Sequence, residues 1–340
     1  MLNTFLATLK PMLMLFLCIA VGFVARKAKL LPENAGKVMA KMETWIFCPA
    51  LGFITMAKSF TVAKIQAHAT NLLLSCLGVA VSLSLAVLLA RFFAKRGSEE
   101  HGVYKYALTV GNGGYVGDPL VLALFASVGL GFYKTFYLPL NILIYTWGIS
   151  VLVPNGQNKG NIFKKLLNAP TVGLLIGMVV GITGLGSLIV PIEAGTDIDS
   201  NFFEATLNTL KSCMGPVAML LCGFTVAGYP MKEMLTQKKV YIASILRLFV
   251  LPAIIIAVLF GVKTLVNLAF HTEIDNNVLF LAFFAYATPL GLNTIVYPEA
   301  FGGNPKTGAS MALISHTLCV LSIPLMFALM TTIFGKPIFT

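Results

Sequence analysis

Charged residues are scarce in this 340-residue chain, since Asp, Glu, Lys and Arg together make up 11% of it. A typical soluble domain has about 25%. The shortage excludes an ordinary water-soluble enzyme, a disordered chain and a nucleic-acid-binding protein, because each of these needs a more polar sequence. Hydrophobic residues make up 57% of the chain, and the class that remains is a multi-pass membrane protein.

Cysteine pairs and clusters of metal ligands are missing as well. The six cysteines lie in separate apolar stretches, without a Cys-x-x-Cys pair and without histidines grouped beside them. We therefore expect no structural disulfide, no metal site and no bound cofactor. The apolar segment at residues 5–25 has no cleavage signal, which is typical of a retained membrane span rather than a signal peptide.

Motifs of membrane enzymes are also absent. The stretch Tyr115-Val116-Gly117-Asp118 only approaches the Gly-x-Gly-Asp of intramembrane aspartyl proteases, and no Tyr-Asp dipeptide supplies a second aspartate. Neither the Gly-x-Ser-x-Gly of serine hydrolases nor the Gly-x-x-x-x-Gly-Lys of phosphate-binding loops occurs. The sequence therefore predicts neither an enzyme nor an ATP-driven pump.

Apolar stretches of spanning length follow one another along the whole chain, and each approaches the ~20 residues that a helix needs to cross the hydrocarbon core. They predict an all-α polytopic membrane protein with ten transmembrane helices. The predicted spans are residues 5–25, 38–57, 69–93, 103–126, 134–154, 170–190, 207–228, 239–262, 277–302 and 309–334.

Basic residues are distributed unevenly among the predicted connections, with 15 in the odd-numbered ones and 4 in the even-numbered ones. Because short cytoplasmic loops retain Lys and Arg, we predict that both termini lie outside the plasma (inner) membrane. The net charge of +11 is then mainly a topology signal. Its second consequence is attraction to anionic lipids of the bilayer, and no nucleic-acid partner is expected.

Two weakly similar halves are visible in the positions of the interruptions. A proline breaks the second predicted span of each half, Pro49 in the first and Pro216 in the second. The fourth span of each half is the most interrupted, at residues 111–119 and 289–299, and both segments contain Asn, Gly, Tyr, Pro and a carboxylate. The predicted units are a first inverted repeat at 1–154, a cytoplasmic linker at 155–169 and a second inverted repeat at 170–340.

Interrupted spans at matching positions of two halves indicate a transporter binding site near the bilayer midplane. The N-terminal ends of half-helices attract anions, and polar groups at this depth are costly unless they line a wet cavity. The predicted substrate-binding residues are Asn112, Gly113, Gly114, Tyr115, Asn293, Thr294, Tyr297, Pro49 and Pro216, and the predicted ion-coupling residues are Asp118 and Glu299.

The order and spacing of these motifs resemble the auxin efflux carrier family, the bacterial and archaeal relatives of the plant PIN-type carriers and distant fold relatives of the bile acid:sodium symporters. The resemblance covers nearly the whole chain. The motifs that carry it are Asn112-x-x-Tyr115-x-Gly117-x-Pro119, Pro289-x-Gly291-x-Asn293 with Val296 to Glu299, Gly302-Gly303-x-Pro305 and Ser322-Ile323-Pro324.

The resemblance implies five plus five inverted repeats, a scaffold domain, a transport domain and two broken helices, spans 4 and 9, that cross at the substrate site. It also implies small organic anions as substrates, with dicarboxylates such as malate or malonate favoured, and a homodimer through the scaffold domain. The chain departs from the plant carriers in its short loop at 155–168 and in Gly111-Asn112-Gly113, which stands where they have Asn-Pro-Asn. Auxin is therefore the less expected substrate.

We expect a secondary transporter, a permease or efflux carrier that works by alternating access and is coupled to Na+ or H+. One alternative is a PIN-like uncoupled uniporter of aromatic weak acids. Another is a membrane receptor or sensor that keeps the transporter fold, and a passive channel fits inverted repeats least well.

Several residues inside the spans carry narrower expectations. Arg247 is deep enough in the eighth span to act as a counter-charge to Glu299 or to an anionic substrate, and His316 is expected to pack through hydrogen bonds. Glu43 and Lys211 are expected to snorkel separately toward opposite membrane faces rather than to pair with each other.

Small residues form a row in the sixth span, at Gly173, Gly177 and Gly181. Such a row lets another helix approach closely. The sequence leaves open whether that helix belongs to the same chain or to a second protomer.

Overall fold

The computed structural model of the protein describes residues 2–153, 169–185, 202–271, 273–301 and 303–337, and every regular element in these ranges is a helix. The predicted all-α class is confirmed for this part of the chain. Of the predicted linker at 155–169, all but Ala169 lies outside the described residues.

The helices of the first half, in chain order, are α1 (Leu2–Lys27), α2 (Ala35–Met42), α3 (Cys48–Ser59), α4 (Val62–Ala67), α5 (Ala69–Phe93), α6 (Glu99–Thr109), α7 (Asp118–Phe136), α8 (Leu138–Leu143) and α9 (Ile149–Leu152). Three π-helical turns lie between these helices: Glu43–Phe47 between α2 and α3, Gly113–Gly117 before α7, and Ile144–Gly148 between α8 and α9.

The helices of the second half are α10 (Ala169–Ile182), α11 (Phe202–Ala227), α12 (Met231–Leu235), α13 (Lys238–Ile245), α14 (Leu251–Phe270), α15 (Asn277–Tyr286), α16 (Asn293–Phe301) and α17 (Lys306–Phe334). A fourth π-helical turn, Leu246–Val250, joins α13 to α14 into one long helix.

Several helices are suited to crossing a membrane. Within the described ranges, four are long and apolar enough: Ala69–Phe93, Phe202–Ala227, Lys238–Phe270 and Lys306–Phe334. A fifth results if Val128–Phe136 and Leu138–Leu152, bent by 46°, form one span. A multi-pass membrane protein is therefore supported, whereas ten spans and their inverted repeat stay predictions.

Three of the four π-helical turns in the described residues occur where proline follows. Pro49, Pro119 and Pro252 each lie two residues beyond such a turn. Proline has no N–H to donate, and its ring crowds the carbonyl four residues earlier. Widening the preceding turn relieves this crowding, and turns of this type are frequent at functional sites.

The bundle is apolar on its surface and at its centre. Helix α15 is buried on all sides from Val278 to Tyr286, which is typical of a helix surrounded by others. On the surface, by contrast, Leu73 and Phe92 of α5 are 71% and 66% exposed. Large apolar side chains on an outer face fit contact with lipid.

The glycine row of the sixth predicted span packs within this chain. A methyl group added at Gly173 would lie 2.5 Å from the carbonyl oxygen of Pro49, and one at Gly177 would lie 2.4 Å from that of Phe53. Helix α10 therefore lies backbone against backbone on α3. The same arrangement joins α1 to α11, where methyl groups at Gly22 and Gly223 would clash with carbonyl oxygens at 2.0 and 1.8 Å.

Candidate functional site

Two predicted interruptions meet in the structure. One helix ends at Thr109 and the next turn begins at Gly113, while α15 ends at Tyr286 and α16 begins at Asn293. A short antiparallel bridge pairs Gly111 with Leu290. We call this place the crossing. Each break supplies hydrogen-bond partners for the other, which is how irregular backbone is tolerated inside an apolar bundle.

The crossing is held by backbone hydrogen bonds. The Asn112 N–H donates to the carbonyl of Pro289 at 2.7 Å, and the Gly291 N–H donates to the carbonyl of Val110 at 3.2 Å. Tyrosine hydroxyls add support from α7 and its C-terminal end, since Tyr137 donates to the carbonyl of Gly111 at 3.2 Å. The first broken helix is thus fixed from both sides.

Arg247 serves the backbone of both breaks. Its side chain is fully buried. Nε donates to the carbonyl of Thr288 at 3.2 Å, and Nη1 donates to the carbonyls of Leu108 at 3.2 Å and Thr109 at 3.3 Å. A cation there offsets the partial negative charge of helix C-terminal ends. The expectation that Arg247 pairs with Glu299 is wrong, because its hydrogen bonds go to carbonyls.

Asn112 is buried and uses its amide to organise the first break. Its Oδ1 accepts from the N–H of Tyr115 at 3.3 Å, which caps the new helix. Its Nδ2 lies 3.1 Å from Nε2 of His316, and Nδ1 of His316 lies 2.9 Å from the carbonyl of Ala312. The amide can donate to Nε2 only if the proton of the ring is on Nδ1, so we assign that neutral tautomer.

The second break is packed more tightly. Asn293 donates from Nδ2 to the hydroxyl of Tyr106 at 2.8 Å, and Thr294 donates to the carbonyl of Gly291 at 3.0 Å. Thr294 and Tyr297 are fully buried. Of the three residues predicted at the second break, Asn293 is the one that borders open space beside the crossing.

Two adjoining cavities lie next to the first break. The larger, of about 240 Å³, is called the lysine cavity, and the smaller, of about 60 Å³, the crossing cavity. The lysine cavity is lined by Met14, Leu51, Gly52, Thr55, Met56, Gly114, Tyr115, Asp118, Pro119, Lys134, Tyr137, Asn141, Tyr145, Lys211, Met214, Gly215 and Pro216. The crossing cavity shares Leu51, Gly114, Tyr115, Tyr137, Asn141, Tyr145 and Met214 with it and reaches Asn112 and Asn293.

The predicted site residues are therefore only partly together. Gly114 and Tyr115 line both cavities. Gly113 lies behind them, since a methyl group there would be 2.5 Å from the Tyr137 ring. Pro216 lines the lysine cavity, whereas Pro49 lies at the contact with α10.

The lysine cavity carries an excess of positive charge. Lys134 forms an ion pair with Asp118, and both line the cavity. Lys211 lines it as well and has no ion-pair partner among the described residues. An ion pair between Lys58 and Glu204 joins α3 to α11.

The two predicted ion-coupling residues lie far apart. Glu299 accepts a hydrogen bond from Thr225 at 3.2 Å. Thr225 and Lys211 are both on α11, and their separation in sequence corresponds to about 21 Å along a helix. Asp118, which shares a cavity with Lys211, and Glu299 therefore do not form a joint ion site.

Some lining residues escape sequence inspection. Lys134 looks like a loop cation that reports topology, and Lys211 looks like a snorkelling side chain at a helix end. Asn141 and Tyr145 are one helical turn apart, a spacing that places them on one face, but nothing in the sequence shows that this face borders the first break.

Paired broken helices, a cavity beside them that is lined by two lysines and an aspartate, and an apolar outer surface are features of a membrane transport protein. A family model described as "Membrane transport protein" matches residues 7–162 and 158–327, and the chain belongs to this family. The match confirms the resemblance to the auxin efflux carriers. The chain is also 25% identical to an uncharacterized transporter of Methanocaldococcus jannaschii over 321 residues, which covers 92% of this chain and 96% of the relative.

Proposed function

We propose that this protein is a secondary transporter of small organic anions that binds its substrate in the lysine cavity and the crossing cavity. The observation that carries the proposal is that two lysines, Lys134 and Lys211, and the start of a half-helix line the same cavity. Gly114, in the first turn after the break, is open to the cavity, and nothing lies within 4 Å of the place where its side chain would be. Free N–H groups at a helix start and nearby ammonium groups both attract an anion.

Dicarboxylates such as malate or malonate are the favoured substrates. The cavity holds Lys134 and Lys211 against Asp118 alone, so a dianion meets a net positive surface. Coupling to Na+ or H+ is part of the proposal, with Asp118 and Glu299 as candidate sites on the two sides of the crossing.

A ten-span inverted repeat with units at residues 1–154 and 170–340 is supported by the way the helices pair. Helix α1 packs on α11, and α10 packs on α3. In the predicted numbering, the first span of the first half packs on the second span of the second half (spans 1 and 7). Likewise, the first span of the second half packs on the second span of the first half (spans 6 and 2). Two similar halves in opposite orientation are expected to pair in this reciprocal way. Alternating access then moves one domain against the other in the plasma membrane, with both termini outside and with a homodimer formed through the scaffold domain.

Aromatic weak acids are the second candidate substrates. Tyr115, Tyr137 and Tyr145 line both cavities, and tyrosine rings can stack on an aromatic acid. This observation favours a PIN-like uncoupled uniporter.

Uptake into liposomes tests the proposal and separates the two candidates. Purified protein is reconstituted, and labelled malate uptake is measured at fixed pH and clamped voltage, with and without an inward sodium gradient. Unlabelled malonate and indole-3-acetate serve as competitors, and protein-free liposomes are the control. Competition by malonate alone supports a dicarboxylate carrier, and block by indole-3-acetate supports the uniporter. Uptake equal to the control, measured in turn with each of the three acids labelled, contradicts anion transport.

A further inference from the structure

An acidic residue outside the predicted site is buried next to it. Glu43 is the first residue of the π-helical turn Glu43–Phe47, and its side chain is 0% exposed. Neither carboxylate oxygen has a hydrogen-bond partner among the described residues. Buried polar groups are almost always paired, so an unpaired buried acid needs an explanation.

The groups around Glu43 are neutral. Glu43 lies within electrostatic range of four uncharged side chains: Cys48 of α3, Tyr297 of α16, Tyr115 of the turn in the first broken helix, and Tyr145 of the turn after α8. Helix α11 presents the Ala218 backbone without reaching hydrogen-bond geometry. Helix α10, which also packs against this turn, has no titratable side chain. Lys37 and Lys41 of the adjoining helix α2 are exposed, and no described Lys or Arg forms an ion pair with Glu43.

A carboxylate in such surroundings is strongly disfavoured relative to the neutral acid, because it has left water without gaining a cation or a donor. The two acids of the predicted ion-coupling site differ in this respect. Asp118 is paired with Lys134, and Glu299 accepts from Thr225. Glu43 is thus the acid whose burial is hardest to reconcile with a permanent charge.

We propose that Glu43 is a proton-binding residue, neutral in this conformation, whose proton accompanies the anionic substrate. The coupling rests on the proposed function. Tyr115 and Tyr145 line both substrate cavities and lie within electrostatic range of Glu43. An anion bound there favours the neutral form of Glu43, because like charges repel. By linkage, a proton on Glu43 favours the anion to the same degree.

The neutral state is tested without any substrate. Infrared difference spectra of the purified protein are recorded as the pH is raised, and the carbonyl stretch of a protonated carboxylic acid is followed. We expect a band in the wild type at neutral pH that is lost in Glu43→Gln and kept in Glu299→Gln. A Glu43→Gln spectrum identical to the wild type overturns the proposal.

The same variant tests the fold. Gln has nearly the size of the neutral acid, so Glu43→Gln is expected to keep the melting temperature of the wild type. Failure of this variant to fold also overturns the proposal, because a neutral side chain of the same shape would then not be what the site holds.

Proton movement tests the coupling. Liposomes that contain a pH-sensitive dye are given malonate in the alkaline range, where malonate is fully ionised. Wild-type protein is expected to acidify the lumen as malonate enters, and Glu43→Gln to carry malonate with loss of the acidification. Unchanged acidification in the variant overturns the coupling.

Failure of the proposed function gives a different pattern. If wild-type protein carries none of malate, malonate and indole-3-acetate while the infrared band is present and sensitive to Glu43→Gln, anion transport and the coupling are rejected together. The proton-binding assignment of Glu43 is then supported on its own.

Discussion

The two breaks at the crossing have similar sequences and different surroundings. At the first break Gly114 is open to the lysine cavity, with nothing within 4 Å of an added methyl group. At the second break Leu292 and Thr294 are buried, and an added methyl group at Gly308 of α17 would lie 2.4 Å from the carbonyl of Thr294. Similar residues therefore produce one open half-helix start and one closed start.

The difference comes from what packs against each break. Helix α17 closes over the second break through a small residue, whereas the first break meets α3, α7 and α11 around an unfilled space. We infer that the first break contacts the substrate and that the second mainly supports it. Four sets of substitutions test this division, from the largest expected effect to the smallest.

Arg247→Met is expected to have the largest effect, because it removes the support that both breaks share. The carbonyls of Leu108 and Thr288 lose this donor, and that of Thr109 keeps only the hydroxyl of Ser82. The expected loss is about 4 kcal/mol of the free energy of unfolding. Thermal unfolding in detergent measures it, with Arg91→Met at the exposed end of α5 as the control. Equal melting temperatures for the two variants would mean that Arg247 supports neither break.

Gly111→Ala is expected to push the two breaks apart at their bridge and so to destabilise the crossing. The new methyl group would lie 2.1 Å from Nη2 of Arg247 and 2.4 Å from Oγ1 of Thr288, so we expect a loss of about 3 kcal/mol in stability. The matched control is Gly114→Ala, which adds the same group to open space. Gly114→Ala should keep the melting temperature and change malonate binding alone; the reverse pattern would contradict the division.

Asn112→Ala and Asn293→Ala compare the breaks directly. Asn112→Ala removes a helix cap and a contact with His316, whereas Asn293→Ala removes one hydrogen bond to Tyr106. We expect stability losses of about 2 and about 1 kcal/mol respectively. Calorimetry with malonate then measures binding, which should weaken more in Asn112→Ala. A larger binding loss in Asn293→Ala would assign the substrate to the second break.

Lys211→Gln is expected to have the smallest effect on folding, because Lys211 has no ion-pair partner to leave behind among the described residues. We expect the KM for malate to rise about tenfold, which corresponds to about 1.4 kcal/mol, and the difference to shrink at high ionic strength. Lys238→Gln, at the exposed start of α13, is the control. An unchanged KM in Lys211→Gln would show that this charge does not reach the substrate.

Local chemistry made the breaks predictable. Gly, Asn and Pro cannot all be accommodated in a regular helix. The predicted end of the fourth span, at residue 126, coincides with a kink at Ala126, where φ is 55°. Such signals are carried by neighbouring residues, so the sequence alone reveals them.

Contacts between distant segments were not predictable. Arg247 bonds to carbonyls more than a hundred residues away, and Glu43 is isolated by side chains from α3, α16 and two π-helical turns. Neither arrangement follows from periodicity or charge pattern, because burial in a membrane bundle depends on which helices become neighbours. The same reason hid Lys211 and Lys134 as cavity residues.

The bridge between Gly111 and Leu290 is made of backbone atoms alone. The side chains of Val110 and Leu290 take no part in the hydrogen bonds that join the two breaks, whereas Tyr115, Asn141 and Lys211 present their side chains to the lysine cavity. The joint that holds the site and the surface that selects the ligand are thus encoded by different atoms. Such a protein can acquire a new substrate by drifting in its cavity residues while its central joint stays intact.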